Sequence, residues 1–290
     1  MTQNTKIEWA THTFSPWICR GDTRRRTAES TWKHVEKWNR KAACGCKWTV
    51  EATGTHYIDC PQHDRPRVFP SLCDPFEDWG GVMLDSSGVA MLNGPEKASG
   101  SHAVRMADVR RDFFALIDRC PNLDFLLLTK RPENAKRMME RAARSIVGEN
   151  WPSLFPWPNV WLIYSASDQQ SLDAGLPHLL ACRDLAPVLG LSLEPLVGPV
   201  DLGLAFCNAM MHGKVPIRGS GRLSDFIRWV ICGGESGPHA RPMDIAWLES
   251  IAEQCAAAGV PLWVKQDAGR KPGQQGRIPD ALWARKELPT

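Results

Sequence analysis

One arrangement recurs along the chain from about residue 66 and constrains its fold: short apolar runs, rich in β-branched and aromatic residues, that each end in a polar cluster. Each run has the length and composition of a strand, and nearly continuous apolar character is expected where both faces of a sheet are covered. The six runs are RVFPSLCDPFED from Arg67, FLLLTKRPEN from Phe125, VWLIYSASDQQ from Val160, VLGLSLEP from Val188, WVICGGESGP from Trp229 and LWVKQDAG from Leu262.

Segments with helical periodicity separate these runs. In ADVRRDFFALIDRC the spacing places Val109, Phe113 and Ile117 on one helix face. The segment MDIAWLESIAEQCAAAG has the same pattern and stops at Gly259, a residue type that favours helix ends. NAKRMMERAARSIVG and QQSLDAGLPHLLAC are also predicted helices, and Pro177 is a candidate break in the second.

Alternating strands and helices predict an α/β fold with a parallel sheet. Six strands, with a seventh expected at KIEWATHTF, favour a partial or full TIM-like (β/α) barrel, and a doubly wound sheet is the alternative. The predicted organisation is an N-terminal segment over 1–65, a barrel over 66–270 with a hairpin insertion at about 80–100, and a C-terminal tail over 271–290.

The polar clusters all follow predicted strands. Both architectures gather the carboxyl ends of parallel strands at one rim, where ligands bind. We therefore predict a ligand pocket there, although solvated loop starts are the alternative explanation for any single strand. The residues concerned are Asp74, Lys130, Arg131, Ser165, Ser167, Asp168, Glu194, Glu235, Ser236, Lys265, Gln266 and Asp267.

The run WVICGGESGP places a glutamate after a glycine pair. Gly233, Gly234 and Gly237 permit unusual backbone angles and close approach to a ligand, and successive N–H groups in such a turn can form an anion-binding nest. We include Gly233 and Gly234 in the predicted pocket. A purely structural role, in which Glu235 braces the glycine-rich turn, is the alternative.

Composition predicts a globular protein of the cytoplasm. Apolar residues make up 43% and charged residues 23%, and a net charge of +3 does not by itself indicate a nucleic-acid partner. We expect no membrane segment, because there is no run of 18 apolar residues, and no secretory signal, because MTQNTKIEWATHTF lacks an apolar core. The ten scattered cysteines are expected to be reduced thiols.

The segment CGCKWTVEATGTHYIDCPQH is a candidate zinc loop. Cys44, Cys46, Cys60 and His63 are four soft ligands of the kind that hold structural zinc. The C-x-C spacing is tighter than the usual C-x2-C, so an ordinary hairpin loop with reduced thiols is the alternative.

A basic helix is predicted near the N-terminus, in ESTWKHVEKWNRKA. Lys33, Lys37 and Arg40 recur on one face, and basic residues in such a stripe can neutralise the phosphates of nucleic acid. The alternative is a solvated helix whose tryptophans pack on the barrel. The preceding basic residues Arg24, Arg25 and Arg26 belong to the same candidate surface.

Seven segments together resemble an uncharacterised family found mainly in phages and prophages. They are IEWATHTFSPW, RRRTAESTWKHVEKWNR, RPRVFPSLCDPFED, LLLTKRPEN, LSLEPLVGPVDL, WVICGGESGPHARPM and VPLWVKQ, in the family's order across nearly the whole chain. That family is in turn similar to radical S-adenosylmethionine (SAM) barrels. The resemblance implies a three-cysteine motif, C-x6-C-x2-C, that holds a [4Fe–4S] cluster to which SAM binds. If the chain is phage-encoded, the expected compartment is the host cytoplasm.

The chain departs from that motif. Cys19, in SPWIC, matches the first cysteine, but RGDTRRRTAES follows where the second and third are expected. A rearranged cluster that uses Cys44 and Cys46 is an alternative. The resemblance also implies that polar strand-end residues bind the amino, carboxylate and ribose groups of SAM.

Three functional hypotheses follow. The first is an enzyme of radical SAM ancestry that acts on a nucleotide, nucleic acid or peptide. The second is a barrel without the cluster that binds a small anionic or nucleotide-like ligand. The third is a nucleic-acid or protein-binding module that uses the basic helix. The missing cysteines count against the first, and the strand-end charges count against the third acting alone.

Overall fold

A computed structural model describes residues 7–43, 49–50, 56–57, 65–93, 102–212 and 221–289. The strands in this part of the chain are β1 (His12–Thr13), β2 (Trp17–Arg20), β3 (Thr23–Arg26), β4 (Thr49–Val50), β5 (His56–Tyr57), β6 (Arg67–Phe69), β7 (Leu92–Asn93), β8 (His102–Ala103), β9 (Asp124–Thr129), β10 (Val160–Ala166), β11 (Val188–Leu193), β12 (Trp229–Cys232) and β13 (Leu262–Val264).

Helices alternate with the later strands. They are α1 (Glu29–Ala42), α2 (Met106–Arg119), α3 (Pro132–Val147), α4 (Gln169–Leu180), α5 (Leu202–His212), α6 (Ile245–Ala258) and α7 (Asp280–Trp283). Two 3-10 helices cover Gly148–Leu154 and Leu223–Asp225.

The chain divides into two compact units. The first comprises Met1–Leu127, Arg137–Val160 and Leu185–Pro187, and the second comprises Leu128–Lys136, Trp161–Asp184 and Val188–Thr290. Seven strands belong to one parallel sheet. In the first unit β1, β6 and β9 are successive neighbours. In the second unit the order is β10, β11, β12, β13.

The core of the first unit is aromatic. Helix α1 buries Trp32, Val35 and Trp38, as their threefold spacing along the helix predicts. Helix α2 buries its apolar face, and its Phe114 ring stacks on Trp157 with ring centroids 4.8 Å apart. Such aromatic pairs add to the stabilisation that burial alone provides.

The second unit is built on strands with both faces covered. All seven residues of β10 and all four of β12 are buried, which explains their continuous apolar sequences. Helix α6 begins at Asp244, whose carboxylate accepts the Ala246 N–H at 3.0 Å, and ends at Gly259 with φ +67°.

Helix α4 differs from its prediction, because it runs through Pro177 without a break. Its start is fixed by a reciprocal cap: Asp168 accepts the Ser171 N–H at 2.8 Å, and Ser171 Oγ accepts the Asp168 N–H at 3.1 Å. Burial of Leu172 and Leu176 then holds the helix to the unit. Packing therefore outweighs the loss of one hydrogen bond at Pro177.

The prediction of an α/β fold with a parallel sheet is confirmed. The seventh strand expected in KIEWATHTF is β1, and a seven-stranded parallel sheet fits the partial barrel among the predicted architectures. A turn forms at Asp85, whose carboxylate accepts three N–H groups, next to an antiparallel bridge between Leu84 and Ala90. The division at residues 65 and 270 stays a prediction.

In the part of the chain described, every helix is too short or too polar to cross a membrane.

Candidate functional site

Strands β11, β12 and β13 end level with one another in the second unit. Their register pairs Leu193 with Cys232, and Cys232 with Val264. The next residue on each strand is Glu194, Gly233 or Lys265. Two charged side chains therefore flank a residue that has no side chain.

Glu194 and Lys265 form an ion pair although β12 lies between their strands. Lys265 Nζ donates to Glu194 Oε1 at 2.5 Å, and the two side chains are 27% and 19% exposed. Because alternate strands are about 10 Å apart, both side chains must extend toward each other. A Cβ at Gly233 would lie 3.0 Å from the Gln266 carbonyl oxygen and 3.3 Å from Lys265 Cβ. The absence of a side chain at Gly233 therefore lets the backbone of Gln266 and the start of the Lys265 side chain lie close to it.

The second glycine has a different role. A Cβ at Gly234 would lie 2.3 Å from the backbone nitrogen of Ala268 and 2.7 Å from its Cα. No real Cβ contact with backbone is that short, so the chain that follows β13 packs directly on Gly234. The glycine pair predicted from WVICGGESGP thus permits close approach of the protein's own backbone.

Gln266 joins these elements. Its side chain is completely buried, and its Nε2 donates to the Gly234 carbonyl at 2.8 Å and toward Glu194 Oε1 at 3.4 Å. Its Oε1 accepts the Gly273 N–H at 2.9 Å. Since both the oxygen and the nitrogen of its amide are hydrogen-bonded, the Gln266 side chain has one orientation. It therefore also fixes which side of the Glu194 carboxylate is available to other partners.

Asp267 anchors the loop that follows. Its buried carboxylate accepts the Ala268 backbone N–H at 2.7 Å and the Arg277 backbone N–H at 2.8 Å. It also accepts hydrogen bonds from Arg277 Nε and Nη2, at 2.9 and 2.8 Å. Burial by itself raises the pKa of Asp267, but the bonds from Arg277 outweigh it and the pKa is lowered. A Cβ at Gly276, which has φ +57°, would lie 2.5 Å from Asp267 Oδ2.

Glu235 is held by Arg241. Its Oε2 accepts hydrogen bonds from Arg241 Nε at 2.7 Å and from the Arg241 backbone N–H at 2.9 Å, and its Oε1 accepts one from Arg241 Nη2 at 3.1 Å. The side-chain hydrogen bond from Arg241 is the main cause that lowers the pKa of Glu235 to about 2, and the charge of Lys130 contributes. These contacts are the ones expected if Glu235 braces the glycine-rich turn, which is the structural alternative. A ligand-binding role for Glu235 stays a prediction.

Strand β10 contributes serines rather than charges. Ser165 is buried, and its Oγ donates to the Glu194 carbonyl at 3.4 Å. The Ser167 carbonyl accepts the Val197 N–H at 2.9 Å, which ties the end of β10 to the loop after Glu194. Asp168 caps α4, as described above.

The remaining predicted pocket residues are spread more widely. Lys130, Arg131 and Ser236 are exposed in the second unit. Asp74 belongs to the first unit, where its carboxylate accepts the Phe76 N–H at 2.9 Å. The structure thus brings together Glu194, Lys265, Gln266 and the glycine pair, with Ser165 beside them.

Cys19 lies in the first unit beside acidic and basic groups. Its Sγ is 3.7 Å from Glu77 Oε2, and Glu77 also pairs with Arg24 at 2.6 Å. Among the described residues, no group of three His, Cys, Asp or Glu side chains is arranged to hold a metal ion. The candidate zinc ligands Cys44, Cys46, Cys60 and His63 lie outside the described residues.

The basic candidates divide into two sets. Lys33, Lys37 and Arg40 are exposed on α1. The three arginines before the helix contact the protein itself. Arg24 pairs with Glu77, Arg26 pairs with Glu29 and lies 4.2 Å from the Trp32 ring centroid, and Arg25 packs against Gly88.

The family comparison identifies the chain. Residues 101–281, more than half of the 290, match the family described as Protein of unknown function (DUF5131). The chain belongs to this family. The DUF5131 match covers α2 to β13 and every strand-end residue from Lys130 to Asp267. Membership of an uncharacterised family is therefore confirmed. No curated protein and no solved structure matches the chain.

Two residues that shape this site were not predicted from the sequence. Arg241 and Arg277 hold Glu235 and Asp267 through bidentate pairs. Each arginine follows its carboxylate within ten residues, in a loop rich in glycine and proline. The short sequence distance between each arginine and its carboxylate is the feature from which these pairs could have been predicted. It indicates contacts that brace a loop rather than contacts with a ligand.

Proposed function

We propose that the strand-end site of the second unit binds a small ligand that carries both an ammonium and a carboxylate group, with SAM as the first candidate, on a radical-SAM-like fold of phage and prophage type. The observation that carries the proposal is the Glu194–Lys265 pair, at 2.5 Å between Nζ and Oε1, with both side chains partly exposed.

An ion pair at this position suits a zwitterionic ligand. The ammonium of the ligand can bind Glu194 while its carboxylate binds Lys265, so that each protein charge keeps an opposite charge. Charge-assisted hydrogen bonds of this kind are stronger than neutral ones. The methionine part of SAM carries both groups on one carbon, which matches two side chains that meet at a single point.

Gln266 and the backbone around Glu194 are already in place before a ligand binds. Gln266 is fixed by Gly234 and Gly273, and it donates toward the same carboxylate oxygen that Lys265 contacts. Because the supporting groups are already placed, a ligand does not have to order them when it binds. Preorganisation of this kind raises affinity.

The proposal includes no step through an iron–sulfur cluster. The resemblance implies three thiolates, but in the described part of the chain Cys19 is next to Glu77 and Arg24, and no three-ligand group is present. The rearranged cluster that would use Cys44 and Cys46 involves residues outside the described part of the chain and stays a prediction. The proposal is therefore limited to ligand binding at the strand-end site.

Calorimetric titration of the full chain with SAM tests the proposal. The parent protein is expected to bind, and Glu194→Gln is expected to weaken binding by the value of a charge-assisted hydrogen bond, about 1.5–3 kcal/mol or roughly 10- to 150-fold in Kd. Lys265→Met should weaken it to a similar degree, because it removes the partner of the ligand carboxylate.

Glu253→Gln, on the exposed face of α6, is the matched control and should leave the affinity unchanged. Melting temperatures measured in parallel separate lost binding from lost folding. A parent protein that binds no SAM at millimolar concentration, or a Glu194→Gln variant that binds as tightly as the parent, would refute the proposed site.

A second candidate function, nucleic-acid binding, has one specific observation in its favour. Lys33, Lys37 and Arg40 are exposed together on α1, whose three buried residues face the core of the first unit. Exposed cations at this spacing can neutralise successive phosphates.

A further inference from the structure

A cavity of about 310 Å³ lies wholly within the first unit, beside the start of α2 and the later part of α3. Its walls contain two aspartates, Asp78 and Asp108, and five arginines. The arginines are Arg105, Arg110, Arg111, Arg137 and Arg141.

The helices explain why these arginines converge. Arg137 and Arg141 are four residues apart on α3, and side chains at that spacing share a helix face. Arg105 directly precedes α2, and Arg110 and Arg111 belong to its early turns. Both segments present their arginines to the same cavity.

The two aspartates are already engaged. Asp78 pairs with Arg137 at 3.2 Å, and Asp108 accepts the backbone N–H of Arg105 at 2.8 Å and lies 3.8 Å from Arg111. Neither aspartate is within ion-pair distance of Arg110 or Arg141. The carboxylates of the cavity therefore leave part of its positive charge uncompensated.

Three guanidinium groups lack a carboxylate partner among the described residues. Arg105 donates to the Gly80 carbonyl at 2.8 Å, and the Arg141 side chain has no hydrogen bond or ion pair in the part of the chain that the structure describes. Arg110 is 6% exposed and donates to the carbonyls of Pro75 and Glu77. A buried cation without an opposite charge is costly, and an anion in the cavity would offset that cost.

The electrostatics of Arg110 agree with this geometry. Burial is the main cause that lowers the pKa of Arg110 to about 10; the charges of Asp78 and Asp74 oppose this shift, and those of Arg137 and Arg141 add to it. The first residues of α2 also line the cavity, and a helix N-terminus adds partial positive charge.

We propose that this cavity binds the phosphate group of a small phosphorylated molecule. A phosphate offers several acceptor oxygens in different directions, which suits guanidinium groups that approach from two helices. Trp79, whose indole packs against Gly81, and Met138 provide apolar wall for the rest of the ligand. The volume is at the lower limit for ligand pockets, so the ligand is small.

Titration of the full chain with AMP, inorganic phosphate and adenosine tests this site. AMP is expected to bind more tightly than inorganic phosphate, and adenosine is expected not to bind. Arg141→Gln removes an exposed, unpaired guanidinium and should raise the Kd for AMP about tenfold or more, as expected for a lost charge-assisted bond. Arg110→Gln should abolish binding, with circular dichroism as the check of folding.

Arg144→Gln is the matched control, because Arg144 is exposed on the same helix but outside the cavity wall. It should leave the affinity for AMP within about twofold of the parent, because Arg144 does not line the cavity and a charge that acts only through water has a weak effect. The proposal is overturned if AMP does not bind at millimolar concentration, or if Arg141→Gln and Arg144→Gln have equal effects. Inorganic phosphate that binds as tightly as AMP would also overturn it, because free phosphate would then be the ligand.

Discussion

Replacement of Asp267 by Asn is expected to destabilise the protein strongly while it preserves side-chain shape. The carboxylate accepts four hydrogen bonds, two on each oxygen, and three of them come from Arg277. An amide has one acceptor oxygen, so its NH2 group must face two donors. Two bonds to a charged acceptor are therefore lost, each of about 1.5–3 kcal/mol.

The net effect is smaller than the sum of those bonds. The Arg277 side chain is 57% exposed, so its guanidinium regains water when the carboxylate is lost. We expect a loss of about 3 kcal/mol, at the lower end for a broken buried pair. With an unfolding entropy of about 2.1 cal/mol/K per residue over 290 residues, this corresponds to a fall in Tm of about 5 °C.

The effect should depend on pH. The pKa of Asp267 is lowered in the folded protein, so its stabilising contribution is present above the ordinary carboxyl pKa of about 3.9 and is lost as the pH falls through the lowered value. The difference in unfolding free energy between parent and Asp267→Asn is therefore largest near neutral pH and shrinks in acid. Urea unfolding followed by circular dichroism at several pH values measures it.

Asp118→Asn provides the comparison. Asp118 is exposed on α2. A substitution at an exposed position away from buried contacts usually changes stability by about 0.5 kcal/mol or less, so this variant should be nearly as stable as the parent. Equal stability of the two Asn variants, or a difference that does not change with pH, would contradict the reasoning about Asp267.

Two further predictions concern charged residues elsewhere. Glu235→Gln should lower the Tm at neutral pH, because the bidentate contact with Arg241 is lost, and the deficit should vanish as the pH falls from about 4.5 toward 2, where the parent carboxylate is protonated. A Tm equal to that of the parent at neutral pH would exclude the brace. If nucleic-acid binding is a function, changing Lys33, Lys37 and Arg40 to Glu should abolish salt-dependent binding of DNA or RNA in a filter assay, and unchanged affinity would remove that candidate.

The sheet was predictable because its strands are buried on both faces. The runs from Val160, Val188, Trp229 and Leu262 are almost continuously apolar, and each begins at the first residue of an observed strand. Burial of both faces requires such sequences wherever helices cover a parallel sheet. Glu194 and Lys265 directly follow β11 and β13, where the apolar runs end.

The pairing of charges at the rim was harder to predict from the sequence. Sequence position predicts that Glu194 and Lys265 are near each other, but not that their side chains meet across β12 in a direct ion pair. The brace between Glu235 and Arg241 depends on the path of a glycine-rich loop, which the sequence pattern does not specify. The arginine cavity depends on how α2 and α3 pack against each other. The periodicity of the sequence within each helix does not indicate how the two helices pack.

The ion pair between Glu194 and Lys265 also has a consequence for synthesis of the protein on the ribosome. The two residues are 71 positions apart, so Glu194 is made about 4–14 s before its partner at ordinary rates of translation. During the first part of that interval β12, which ends at Cys232, is not yet complete beside β11, and afterwards β12 still lacks β13. An uncovered strand edge that can pair with other chains therefore persists until β13 is made. The synthesis of Lys265, which completes the ion pair at the rim, therefore comes at the end of the period in which a strand edge is uncovered. A nascent chain that stalls before Lys265 presents both an uncovered edge and an unpaired carboxylate to the chaperones of the cell.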